Sequence, residues 1–237
     1  MDPRKSFLAG WKDGIPICAG YLPVAFAFGV FSKGKGLRAL QIILISLTNV
    51  TSAGQIAGVE IICACGSLLE LALTQFVINL RYTVMSLSLS QRFDESMRLR
   101  DRFLFAFVTT DEVFAVAYSH EGKLSRQYLF GLIVMPFLGW GFGTALGAFV
   151  TDLFSPAAIS ALGIALYAMF ISAFVPVAKK NRKDCLCILL AIGISCLFRY
   201  VPFLQSVPSG FTVILSAVPA AALFAVLDVA KKRRAAK

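Results

Sequence analysis

The sequence predicts an all-α fold, a polytopic bundle of transmembrane helices, and three observations carry that expectation. Of the 237 residues, 58% are hydrophobic and 15% charged, with a mean hydropathy of +0.77. A soluble domain cannot hide so much apolar surface. The apolar blocks are long enough for spanning helices, which need about 20 residues each. The alternating segments of a membrane barrel are absent, which leaves a helical bundle as the spanning architecture. The chain, 1–237, reads as a single integral membrane domain of about eight spans, because no polar stretch is long enough to fold by itself.

The first span is expected over Gly14–Phe31, with Pro16 and Pro23 inside it. Proline within a spanning helix frees carbonyls that neighbours or substrate must satisfy. The basic opening MDPRKSFLAGWK resembles the start of a signal peptide. No small-x-small cleavage site follows, so this segment reads as an uncleaved first helix. A basic link, Ser32–Arg38, leads to apolar sequence for two helices, Ala39–Cys63 and Ser67–Ser90. The run Thr51-Ser-Ala-Gly54 interrupts the earlier one with small and hydroxylated residues, which favour non-helical backbone or close helix contact. Glu60 and Glu70, near the intervening turn, read as carboxylates solvated at the interface.

A mixed-charge loop, Gln91–Arg102, precedes a short fourth helix over Phe103–Tyr118. The fifth, Tyr128–Val150, carries Gly139, Gly143 and Gly147 at every fourth position, a stripe suited to close helix packing. Pro156–Ala178, Cys185–Val201 and Phe211–Val229 complete the set, with the basic run Lys179–Lys183 and the tail Lys231–Arg234 between and after them. Eight spans put both termini in the cytoplasm, with fourteen Lys and Arg inside against seven outside. That bias follows the positive-inside rule, and it accounts for the formal charge of +10 without any nucleic-acid partner. A re-entrant early segment would change the count. At an offset of 118 the chain echoes itself weakly: Gly29-Val-Phe31 matches Gly147-Ala-Phe149, and Arg81-Tyr82 matches Arg199-Tyr200. Read as a repeat, the halves are 10–120 and 128–230, and Arg199 is the counterpart of Arg81.

Polar groups interrupt the apolar sequence at three places: Asn49–Gln55, Asn79 with Arg81, and Thr109–Glu112. A charge at a hydrocarbon boundary costs a few kcal/mol or more, so chains that keep one give it a partner or a wet cavity. The three read as one intramembrane site. The alternative is that Arg81 snorkels to the headgroups and Asn79 caps a helix end. A small zwitterion crossing such a bundle needs cations, free N–H groups or hydroxyls for its carboxylate. Thr51, Ser52, Gly54, Gln55, Asn79 and Arg81 are the expected binding set. Its ammonium needs an acid, and Asp111 or Glu112 is expected to supply that or to carry a proton. Adjacent residues on a helix point about 100° apart, so one of the two is expected to face the pathway.

No metal site is expected. Two cysteine pairs have C-x-C spacing, but the single histidine, His120, is in a loop, and the six cysteines read as small packing residues. No G-x-x-x-x-G-K-[ST] occurs, which argues against a primary pump.

At Gly14-x-Pro16 with Pro23 and Phe28-Gly29, then Ser52-Ala-Gly-Gln55, Asn79-Leu-Arg81 and Thr110-Asp-Glu112, the chain resembles the AzlC family. These are large subunits of branched-chain amino-acid exporters. The resemblance is clear over about residues 10–120 and looser beyond. The family typically has Arg-His after the Asn-Leu pair, where this chain has Arg81-Tyr82. The resemblance implies an exporter of branched-chain or similar hydrophobic amino acids in a bacterial inner membrane, driven by the proton gradient. It also implies a small hydrophobic AzlD-type partner subunit. No cofactor is expected. The oligomeric state stays open.

Rival readings are an assembly subunit, a channel, and an intramembrane enzyme with Asp111 and Glu112 as acid and base. Adjacent acids converge poorly on one bond, and no nucleophile or metal set accompanies them, so no enzyme is expected.

Overall fold

The structure is a computed structural model that describes residues 3–180 and 182–235. Asn181, within the basic run, and the side chains of Lys231–Arg234 lie outside the described residues. The described chain is helical almost throughout: α1 (Pro3–Gly34), α2 (Ala39–Thr48), α3 (Ser52–Cys63), α4 (Leu68–Ser90), α5 (Leu99–Val108), α6 (Asp111–Ser119), α7 (Arg126–Val150), α8 (Pro156–Lys180), α9 (Arg182–Tyr200) and α10 (Ser209–Ala235). Short 3₁₀ turns follow α7 and α9. Among the described residues, Pro3–Gly34, Arg126–Leu153 and Ser209–Val226 are the helices long and apolar enough to cross a membrane by length and composition.

Two of the expected helices are each broken in two. The segment expected over 39–63 is α2 and α3, and its interruption falls at Asn49–Thr51 instead of Thr51–Gly54. The reason is a cap: Thr51 Oγ1 accepts the Gly54 N–H at 3.2 Å, so Ser52–Gly54 begin a new helix and do not interrupt one. The fourth helix, expected as one piece over Phe103–Tyr118, is α5 and α6, with a break at Thr109–Thr110. Thr110 Oγ1 accepts the Val113 N–H at 3.4 Å, the same capping position again. Helix α1 starts at Pro3, well before Gly14, because proline is tolerated in a first turn and nothing up to Asp13 breaks the helix.

The chain forms two compact units, residues 1–56 with 78–166, and residues 57–77 with 167–237. Within the first, α1 and α7 pack tightly side by side. A methyl group on Gly139 would sit 2.6 Å from Cys18 Sγ, and one on Gly143 would sit 2.6 Å from the Leu22 carbonyl oxygen. Gly147 meets Phe26, and Gly10 meets Tyr128. Contacts advance together along both helices, so the two run parallel. The glycine stripe therefore does what small residues do at membrane helix contacts: it lets two backbones close up.

Both broken helices lie against this pair. Ser46 of α2 and Thr144 of α7, fully buried, share a 2.7 Å hydrogen bond. One buried cluster holds Tyr21 and Ala25 of α1, Trp140 of α7, Val50 from the first break, and Val108 and Val113 on either side of the second. The loop expected over 91–102 ends at Arg98, just before α5 begins, and it is ordered by charge. The Arg92 guanidinium donates to the carbonyls of Tyr118, His120 and Gly122, closing the end of α6. Asp101, almost fully buried, meets Arg126 at 3.3 Å and fixes the start of α5 to the start of α7.

In the second unit the expectation for Glu70 is corrected. It is 3% exposed, and its Oε1 accepts the Gly210 N–H of α10 at 2.8 Å. Pro208, ahead of α10, has no side-chain oxygen, so the carboxylate supplied from α4 caps that helix.

Candidate functional site

The second break gathers the ionisable groups. Asp111 and Glu112 occupy the first turn of α6, where the exposed N–H groups favour negative charge. Asp111 Oδ2 lies 2.8 Å from Arg81 Nη2, and both side chains are about half exposed, 48% and 53%. Arg81 is held from a second side by its neighbour Tyr82, whose hydroxyl accepts from Nη2 at 3.0 Å and whose ring lies 4.9 Å from the guanidinium carbon. Glu112 turns elsewhere: its Oε2 accepts the Tyr21 hydroxyl at 2.6 Å. That hydroxyl also touches Thr110 Oγ1, so one phenolic proton serves two oxygens at the break. Arg81, Asp111 and Glu112 lie within electrostatic range of one another.

The two adjacent acids diverge, as their spacing on a helix implies. The 100° between them sends Asp111 to Arg81 and Glu112 to Tyr21, so both have partners within one cluster.

The first break carries no ionisable group. Thr51 Oγ1 caps α3 and also reaches Asn49 Oδ1 at 3.4 Å. Ser52 is half-buried and Gly54 buried in the first turn. Gln55 is 0% exposed, and neither its Oε1 nor its Nε2 has a hydrogen-bond partner among the described residues. A buried amide left in that condition costs about 1–3 kcal/mol. Asn79 is half-buried on α4, two residues before Arg81. The structure thus joins Arg81, Asp111 and Glu112, while Gln55 makes no hydrogen bond to them. Arg199, exposed at the end of α9, belongs to the second unit.

Sequence reasoning missed two residues. Tyr21 looks like a packing aromatic in a helix rich in glycine and proline. Trp140, between Gly139 and Gly141, reads as part of the packing stripe, yet its ring stands edge-on to Tyr21 with centroids 5.1 Å apart. The available signal was a polar-tipped aromatic within a long apolar helix. Among the described residues, no three His, Cys, Asp or Glu side chains gather as a metal site requires.

Comparison with known proteins places this geometry in context. The inner membrane protein YgaZ of Escherichia coli (strain K12) is 33% identical over 194 residues, which cover 79% of this chain and 78% of the relative. An uncharacterized membrane protein of Archaeoglobus fulgidus is 32% identical over 175 residues, covering 73% and 76%. One of Helicobacter pylori (strain 26695) is 28% identical over 208 residues, covering 84% and 90%. No solved structure matches. The AzlC protein family matches residues 16–154, a stretch that contains Tyr21, both breaks, Arg81 and Trp140 and spans more than half the chain. On these matches the chain is a membrane protein that belongs to the AzlC family.

Proposed function

We propose that this protein is a secondary transporter that exports branched-chain or similar hydrophobic amino acids across a bacterial inner membrane, coupled to protons. The observation that carries the reading is the Arg81–Asp111 ion pair beside the Glu112–Tyr21 hydrogen bond, assembled at an interrupted helix in an otherwise apolar protein. Ionisable groups kept inside a membrane protein mark substrate and proton pathways. Membership of the AzlC family and the similarity to membrane proteins support a role in transport.

The geometry suits a zwitterion. At rest Arg81 and Asp111 neutralise each other. An amino acid splits the pair by offering its carboxylate to Arg81 and its ammonium to Asp111, so neither charge is stranded. Gln55, with a buried acceptor and donor both free, offers a second neutral contact. Glu112, bound by the Tyr21 hydroxyl that also touches Thr110, is the group we assign to carry the proton. An enzyme is disfavoured because the two acids diverge to different partners and do not converge on one bond. We place both termini in the cytoplasm, on the bias of basic residues, and include an AzlD-type small hydrophobic subunit as partner.

The test is efflux of labelled leucine and valine from preloaded vesicles, with and without the small subunit and a pH gradient. Gradient-dependent efflux that requires this chain is the expected result. Efflux that is absent or indifferent to the gradient, with both subunits present, overturns the reading.

A further inference from the structure

We propose that Trp140 is a further substrate contact, its indole N–H donating to the carboxylate of the transported zwitterion. The inference rests on the transport reading above and assigns that site a residue it does not otherwise use.

Trp140 is 3% exposed, and its Nε1 has no acceptor among the described residues. An indole N–H is a donor only. It has no second tautomer and cannot flip to accept a bond in place of the one it lacks. Buried tryptophans usually find a partner for this group, so an orphaned one points to an acceptor that arrives from outside the fold. The Tyr21 ring that Trp140 stands against carries the hydroxyl that meets Glu112 Oε2 and Thr110 Oγ1, which sets the indole beside the second break.

The transport reading supplies the chemistry of the missing acceptor, the carboxylate of the zwitterion. The same buried cluster holds Ile17, Ala25, Val50, Val113 and Ile133, whose side chains offer the indole N–H no acceptor. A buried carboxylate needs a compensating cation as well as donors, and in the transport reading Arg81 is that cation while the indole N–H adds a neutral donor. An uncharged donor also leaves Asp111 free for the ammonium, where another cation would compete for that acid. Val50 lies in the first helix break and Val113 just after the second, so the indole shares its cluster with a residue from each.

The test uses the full chain in lipid nanodiscs, alone and with the small subunit, labelled with ¹⁵N at the indole nitrogens. The chain has two tryptophans, and Trp11→Phe assigns the Trp140 signal. Valine should move the Trp140 N–H proton downfield, while isobutylamine, which keeps the apolar group and the ammonium but lacks a carboxylate, should not. Trp140→Phe keeps an aromatic ring beside Tyr21 and removes the donor together with part of the indole; it should weaken valine binding by about ten- to a hundredfold in calorimetry, and the resonance separates the lost donor from the lost volume. Valine that binds normally while leaving the Trp140 resonance in place overturns the assignment and spares the transport reading. A shift produced equally by isobutylamine overturns the carboxylate as its cause. Absence of valine binding to the unsubstituted protein under both conditions overturns the transport reading and this inference together. If Trp140→Phe fails to fold, the resonance decides alone.

Discussion

The two helix breaks share one backbone device and carry opposite chemistry. Each ends a short helix and restarts the chain at a threonine whose hydroxyl takes the N–H three residues on, Thr51 for Gly54 and Thr110 for Val113. Each contributes valine to the cluster around α1 and α7. At the first, the new helix opens with a neutral turn and buries an unsatisfied amide, Gln55. At the second, it opens with two acids, both paired. The difference teaches that the break itself supplies only free N–H groups and a positive potential. What fills its first turn decides whether it serves charge or neutral polarity.

Removing charge from the second break should have the largest effect. Arg81→Ala and Asp111→Asn should each lower efflux by at least about a hundredfold, the scale of truncating one member of a charged contact. Both side chains are half exposed, so the protein should still reach the membrane in normal amount. The double variant should be no worse than either single, because the two residues act as one unit. Full efflux in either single variant, measured in the same vesicles, would place the working group elsewhere.

The neutral break sharpens the contrast through stability. Gln55→Leu fills the same space and removes two unsatisfied polar atoms. It should raise the thermal midpoint in detergent, reflecting about 1–3 kcal/mol of relieved desolvation, while weakening substrate binding about tenfold. A lower midpoint would mean that the amide is already satisfied in the membrane and is structural.

What the sequence made legible follows the range of each interaction. The all-α membrane class rests on composition, which needs no partner. The first break was visible because Thr51-Ser-Ala-Gly54 stands out in apolar sequence, though capping moved the break to Asn49–Thr51. The second was hidden because Phe103–Tyr118 is apolar on both sides of two threonines, and one continuous short helix fits the same pattern. Arg81 and the acids were visible as charges, but their division between Arg81 and Tyr21 depends on a residue 91 positions away. Glu70 was misread for the same reason, since Gly210 lies 140 residues further on. Trp140 was hidden by its glycine neighbours, which signal packing more loudly than an indole signals a donor.

The smallest expected effect tests the shared device directly. Thr51→Ala and Thr110→Ala each remove one capping oxygen, and each should cost about 1 kcal/mol in stability. If the breaks are equivalent as backbone, the two midpoints should fall by similar amounts. Their transport phenotypes should differ. Among the described residues the Thr51 hydroxyl bonds within the local turn and to Asn49, so its loss should raise the half-saturating substrate concentration with little change in dependence on the pH gradient. Thr110 also meets the hydroxyl that binds Glu112, so its loss should alter the dependence of efflux on the gradient. Identical transport behaviour in the two variants would mean that the acids beside Thr110 owe nothing to its hydroxyl, and the distinction between a neutral and a charged break would rest on Arg81 and Asp111 alone.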